Sequence, residues 1–222
     1  KVGGADCVIS QTGFTGEKGY EIYVRDAHEN AEKMWNAVLE AGEEFGLMVI
    51  APAHHRRIAA GILSWGQDLD HETSPFQVNL SYQVPRNKAA DYIGKEELEK
   101  QRAMMDEGKA PFKMKMVGLT LGGKEITDYA PDFWIVTNTD EDEVGYVTSP
   151  WWSPELETNI ALAWVPWEAS EVGTKYMVKL PDEYAESPGV AVNAEIVDVP
   201  FRESVNPNKR EVQAAKGLDF AD

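Results

Sequence analysis

Gly13-Phe14-Thr15-Gly16-Glu17-Lys18-Gly19-Tyr20-Glu21-Ile22 sets three glycines at intervals of three, directly ahead of a run rich in β-formers. Glycine takes positive φ without a Cβ clash, so residues 13–19 read as a turn. Upstream, residues 6–11 read as a short strand. Downstream, Tyr20-Glu21-Ile22-Tyr23-Val24-Arg25 alternates as a second one, and the pair predicts a hairpin with a long glycine-rich loop. Alternation puts Tyr20, Ile22 and Val24 on one face and Glu21, Tyr23 and Arg25 on the other. If the first face packs on a core, Glu21 is a solvated surface carboxylate. If the second face lines a cavity, Glu21 is a carboxylate beside aromatic rings, able to accept paired hydrogen bonds from an amidine-like ring edge. Periodicity does not choose between these.

Asp26 and Glu29 have capping-box spacing, and Ala31, Met34, Trp35, Val38, Ala41 and Phe45 follow as one helical apolar stripe, expected to be core, with Gly46 as the stop. Pro52 suits the first turn of a further helix through His54-His55-Arg56-Arg57 to Gly61. Adjacent histidines point about 100° apart on a helix, so no metal site is expected there. The arginine pair fits a structural salt bridge or a clamp on a ligand carboxylate. After it, Trp65-Gly66-Gln67-Asp68-Leu69-Asp70-His71-Glu72 packs many polar groups into one loop, either as a site or with Asp68 and Asp70 bracing the chain. Asn79 to Val84 reads as a strand and Glu96 to Met105 as a charged helix.

Near Asp106-Glu107-Gly108-Lys109-Ala110-Pro111 the helical period disappears, which puts a domain boundary there. Short β-rich runs follow at about 112–121, 132–138, 144–148, 159–165, 174–180 and 190–198, the spacing of a small antiparallel barrel or sandwich. The expected division is 1–108, 109–205 and a polar tail over 206–222. Trp151, Trp152, Trp164 and Trp167 fit core packing or a stacking wall for a flat ligand.

The 222 residues suffice for one large or two small domains. A net charge of −17 disfavours phosphate backbones and anionic bilayers, so neither nucleic acid nor a membrane surface is an expected partner. Cys7 is the only cysteine, which rules out an intrachain disulfide and suits a reducing, cytoplasmic setting. There is no nucleophile elbow, phosphate loop or dinucleotide fingerprint.

The opening stretch resembles the Gly-Tyr-Thr-Gly-Glu-x-Gly-x-Glu-Ile signature of the glycine-cleavage T-protein (aminomethyltransferase) family. Arg57-Ile58-Ala59-Ala60-Gly61, Trp65-Gly66-Gln67-Asp68-Leu69-Asp70, Tyr92-Ile93-Gly94-Lys95 and Gly145-Tyr146-Val147-Thr148-Ser149 are similar to further family elements, in the family's order. The resemblance implies an α+β fold: the remainder of a ferredoxin-like folate-binding α+β domain, then a small antiparallel β-barrel. It implies tetrahydrofolate as cofactor, no metal, Glu21 as the pterin-binding carboxylate, and Phe14 and Tyr23 beside the folate. Trp65 and Arg57 become the expected substrate side, an aromatic wall and a carboxylate clamp; no catalytic acid or base is identified.

Two departures shape the functional expectation. An arginine near the start of the family's second helix is Ala53 here, and the family's late tyrosine has no match in Phe201 to Asn206. His54 to Ile58 and Ser64 to Asp68 resemble the folate-dependent O-demethylases of methoxylated aromatic acids. The expected activity is therefore methyl transfer from such a small-molecule donor to N5 of tetrahydrofolate. The alternatives are glycine-cleavage aminomethyl transfer with a lipoyl carrier protein, demethylation of dimethylsulfoniopropionate, and a non-catalytic folate-binding subunit. Family members are longer, so an amino-terminal half or a separate chain is expected to complete the site.

Overall fold

A computed structural model describes residues 1–86 and 88–202. The tail expected from 206 onward lies outside the described residues. By spatial contacts the chain divides into two compact units, Lys1–His54 and the part from His55 onward. Residues 55–108 thus lie in the same unit as the barrel.

In the first unit, β1 (Cys7–Ser10) and β2 (Glu21–Val24) form the antiparallel hairpin, with Ser10 opposite Glu21 and Val8 opposite Tyr23. Helix α1 (Ala27–Gly42) follows and touches β2. Two expectations fail here. The capping box is not made: Asp26 adopts φ 49°, its side chain caps nothing, and the Glu29 N–H bonds to the Asp26 backbone carbonyl oxygen at 3.0 Å. Nor does the apolar stripe form a core. No residue of α1 is buried; Trp35 is 49% exposed and Phe45, in a 3-10 turn after the helix, is 81% exposed. Gly46 does stop the chain, at φ 69°, one turn beyond the helix itself.

The second unit opens with α2 (His54–Ala59), begun in the first, and α3 (Lys95–Asp106). The expected strand over Asn79–Val84 is absent. Asn79 takes φ 60°, a single-turn 3-10 helix covers Ser81–Gln83, and the Asn79 amide donates to the Met116 carbonyl oxygen at 3.0 Å. A left-handed residue at the start of the segment breaks the extended conformation that a strand needs.

Six antiparallel strands then close a barrel: β3 (Met114–Leu121), β4 (Trp134–Thr137), β5 (Glu143–Ser153), β6 (Thr158–Pro166), β7 (Lys175–Val178) and β8 (Val192–Val197), in the order β3-β6-β5-β4-β7-β8 and back to β3. Closure leaves no unpaired sheet edge. Val117, Leu119, Val147, Ala161, Ala163, Val165 and Val178 fill the interior. The alternate residues Met116, Ile160, Leu162 and Trp164 face outward, where Ile58 and Ala59 of α2 and Val78 cover them. β6 is thereby buried on both faces, which is why Ile160 to Val165 reads as a continuous apolar run. Buried Asn159 in β6 accepts from the Ile126 N–H at 3.0 Å and donates to the Lys124 carbonyl oxygen at 2.9 Å, tying the β3–β4 connection to the barrel. No helix among the described residues is long and apolar enough to cross a membrane.

Candidate functional site

The hairpin unit carries one candidate group, built on Glu21. The pairing of β1 and β2 puts Val8, Ser10, Glu21 and Tyr23 on one face of the two-stranded sheet. Thr12, the second loop residue after β1, donates its hydroxyl to Oε2 of Glu21, and the Tyr23 hydroxyl donates to the same oxygen at 3.0 Å. The Thr12 bond first, and the Tyr23 bond second, hold the Glu21 carboxyl below the usual glutamate range, so it is ionised at neutral pH. The same carboxylate pushes the Tyr23 hydroxyl above its ordinary value. Both bonds converge on one oxygen. Among the described residues no donor is bonded to Oε1, whose acceptor sites remain available. Phe14 lies in the glycine-rich loop, exposed, and Tyr23 is exposed as well. The unit therefore presents an ionised, oriented carboxylate with aromatic side chains close by in sequence.

The barrel unit carries the second group, a buried polar lock. Arg57 on α2 is 2% exposed. Its Nη1 donates to Asp68 Oδ2 at 2.9 Å and to the Ile62 carbonyl oxygen at 3.1 Å; its Nη2 donates to Ser149 Oγ at 2.8 Å and to Gln67 Oε1 at 3.3 Å. Asp68 is equally enclosed and accepts four bonds: from Arg57, from the Ser64 N–H at 2.7 Å, and from the Thr148 and Ser149 hydroxyls at 2.6 Å each. Trp164 of β6 donates its indole N–H to the Asp68 backbone carbonyl oxygen at 3.0 Å.

A bulge explains why two consecutive residues of β5 reach one carboxylate. The register of β5 against β6 shifts between Val147 and Ser149, so Thr148 and Ser149 both turn toward the loop instead of to opposite faces. Pro150, next to the shift in a strand paired on both sides, cannot donate to the ladder and is the local sequence sign of it. Thr148, Ser149 and Trp164 are the partners that sequence reasoning missed, although Thr148 and Ser149 lie inside a stretch singled out on other grounds.

The lock decides several sequence alternatives. Arg57 makes the structural salt bridge: its two terminal nitrogens are committed inward, and its Nε is buried with no hydrogen-bond partner among the described residues. That geometry does not support the substrate-clamp reading. Asp68 and Asp70 both brace the chain. Asp70 Oδ1 accepts the Glu72 N–H at 2.9 Å and the Thr73 hydroxyl at 3.0 Å, and these bonds, in that order, hold its carboxyl below the ordinary aspartate range. Trp65 differs from its neighbours in being 67% exposed, at the head of a turn closed by the Gly66 N–H to the Leu69 carbonyl oxygen at 2.8 Å, with its ring centroid 6.5 Å from that of His71. Trp164 is core. Trp151 packs partly buried against the outer cluster and meets Tyr129 edge-on at 5.9 Å.

Residues 1–88 match the family model described as GCVT N-terminal domain, and residues 115–202 match the glycine cleavage T-protein C-terminal barrel domain. The chain belongs to the glycine-cleavage T-protein family. Among family members, an aminomethyltransferase from Geobacillus sp. (strain WCH70) is 33% identical over 202 residues, which is 90% of this chain and 50% of that protein. An aminomethyltransferase from Clostridium botulinum (strain Okra / Type B1) is 35% identical over 181 residues, 81% of this chain and 46% of that one. The crystal structure of the glycine cleavage system aminomethyltransferase T from Bartonella henselae superposes with a TM-score of 0.64 at 25% identity, covering 88% of this chain and 49% of that chain. The chain thus spans about half the length of the T-protein relatives it matches.

Proposed function

We propose that this chain supplies the folate-holding hairpin and the barrel of a tetrahydrofolate-dependent one-carbon transferase of the aminomethyltransferase type. The observation that carries the reading is Glu21: an ionised carboxylate with one oxygen fixed by two hydroxyls and the other open. That arrangement fits the N–H edge of a pterin, since a carboxylate accepts more than one such bond and gains from being ionised. Phe14 and Tyr23 offer aromatic surface for a flat ring. Bound tetrahydrofolate would supply a nucleophilic nitrogen, N5, as acceptor of the one-carbon unit. The contribution of Glu21 is to orient the ring, and that of Thr12 and Tyr23 is to keep Glu21 ionised and in one rotamer. Proximity and a preorganised field are the sources of rate in such a transfer. Trp65, exposed on a loop that the Arg57–Asp68 lock holds to the barrel, is the residue proposed for the substrate side. The remaining groups of the site, including any acid or base, belong in this reading to the half of the relatives' length that the chain does not span, in the same polypeptide or in a partner. The half-buried free thiol of Cys7 suits a reducing compartment such as the cytoplasm.

Methyl transfer from a methoxylated aromatic acid is the second reading, favoured by the exposed indole of Trp65. It loses its carboxylate clamp with Arg57. Tetrahydrofolate-dependent turnover by the intact protein separates the two: the proposal expects turnover with an aminomethylated lipoyl carrier protein and none with vanillate or syringate. Turnover with vanillate or syringate alone assigns the demethylase, turnover with dimethylsulfoniopropionate assigns that donor, and folate binding without any turnover assigns a non-catalytic subunit.

A further inference from the structure

The barrel unit holds a pocket of about 370 Å³ that involves neither Glu21 nor the Arg57–Asp68 lock. It lies between the start of β3, the end of β8 and the loop around Asn79–Tyr82, with Ser170 and Val172 on its remaining side. Lys115 is its only lysine or arginine. Lys115 has the same strand parity as Val117 and Leu119, which fill the barrel interior, so it belongs to the inward face at the open end of the barrel. Its ammonium sits 5.3 Å from the centroid of the Trp167 ring, and Trp167 in turn leans on Phe112 at 6.0 Å.

An ammonium in that place needs a counter-charge. Lys115 makes no hydrogen bond and no ion pair within 4.0 Å among the described residues, in a chain where 38 acidic side chains face 21 lysines and arginines. Burial pushes its pKa below the ordinary lysine value. A cation–π contact replaces only part of the lost hydration. The pocket's other features restrict what could neutralise it. Ile196, Val197, Val199 and Val172 give it an apolar wall, Ser81 brings a hydroxyl, and Asp198 stands exposed at the rim. One cation opposite one rim carboxylate suits a single negative charge and opposes a dianion. The valines suit a carbon body.

We propose that this pocket binds a small organic monocarboxylate, with the carboxylate on Lys115 and its hydrocarbon part on the valine wall. The pocket draws no residue from the β1–β2 hairpin, and the proposal does not depend on the assignment of Glu21. The dianions sulfate and hydrogen phosphate are disfavoured by the lack of a second cation, inorganic anions of either charge gain nothing from the valine wall, and amines are repelled by the lysine itself.

Sodium propionate and sodium benzoate, titrated into the ¹⁵N-labelled intact protein, provide the test by NMR. Saturable shifts are expected at the amides of Gly118, Val172 and Val199, with Kd weakened ~10-fold or more in Lys115→Met, as for loss of a hydrogen bond to a charged group. Asp198→Asn is expected to tighten binding of the same acids. An unchanged spectrum elsewhere in Lys115→Met verifies that the barrel is folded. The proposal is overturned if neither acid gives saturable shifts in the wild-type protein, if Lys115→Met binds them equally well, or if inorganic phosphate competes at the same concentration.

Discussion

The hairpin unit and the barrel unit fix their key carboxylates by opposite means. Glu21 is held at the surface by two hydroxyls, on a two-stranded sheet whose unit has Ala5 as its one buried hydrophobic residue. Asp68 is held in the interior by a guanidinium, two hydroxyls and a backbone N–H, on a barrel packed on both faces of β6. A two-stranded hairpin has little stability of its own, whereas a closed six-strand barrel has no edge left to satisfy. The comparison sets a saturated, enclosed carboxylate in the barrel unit against a carboxylate with a spare acceptor in the hairpin unit. The buried carboxylate is saturated with donors and holds a loop, while the partly exposed one has an oxygen with no donor on it among the described residues, which is what its proposed binding role requires.

The largest effect that would break this contrast is at Asp68. Asp68→Ala strands a buried guanidinium, and the cost is expected at about 3–5 kcal/mol of barrel stability in urea unfolding followed by tryptophan fluorescence. A loss under ~1 kcal/mol would mean the lock is not what holds the loop. Next comes Leu162→Ala, which empties volume between β6 and α2 at an expected cost of about 2–5 kcal/mol. Ser149→Ala removes a hydroxyl that both accepts from Arg57 and donates to Asp68, and about 1–3 kcal/mol is expected in the same assay. In the hairpin unit, by contrast, Ile9→Ala is expected to change stability by no more than about 0.5 kcal/mol, because Ile9 is already 55% exposed. Hydrogen exchange sharpens the same point: amides of β1 and β2 are expected to exchange far faster than those of β6.

The smallest effect is a pH slope at the start of the barrel unit. Burial first, and the charge of Arg56 second, push the His55 pKa below its ordinary value of 6.5, with Glu155 opposing. On acidification the unfolded chain therefore takes up the proton before the folded one does. Stability is expected to fall as pH drops from about 6.5 toward the lowered value, and His55→Gln should flatten that slope in thermal melts at pH 7 and pH 5.

Much of the barrel was legible in the sequence because alternation and turn residues recur at strand spacing, and all six expected runs contain strands. β6 was the clearest, since burial on both faces leaves a run of six apolar residues. Asn79–Val84 misled for a local reason: Leu80, Tyr82 and Val84 alternate like a strand, but a left-handed Asn79 anchored to β3 forces a turn. The stripe on α1 misled for a tertiary reason. Its spacing correctly gives a helix, but spacing does not say how deeply the apolar side is covered, and no residue of α1 is buried. The lock was out of reach because two of the four donors to Asp68, the hydroxyls of Thr148 and Ser149, lie 80 and 81 residues away and depend on a bulge. Glu21 was legible as a residue, while its state was not: the Thr12 bond comes from the loop conformation.

Calorimetry of tetrahydrofolate with the intact protein and its Glu21→Gln variant tests the central assignment most directly. The expected result is an affinity loss of ~10-fold or more, the scale of a hydrogen bond to a charged group, with the urea midpoint of the barrel unchanged. Equal affinity in the two proteins would contradict the assignment of Glu21 as the folate carboxylate.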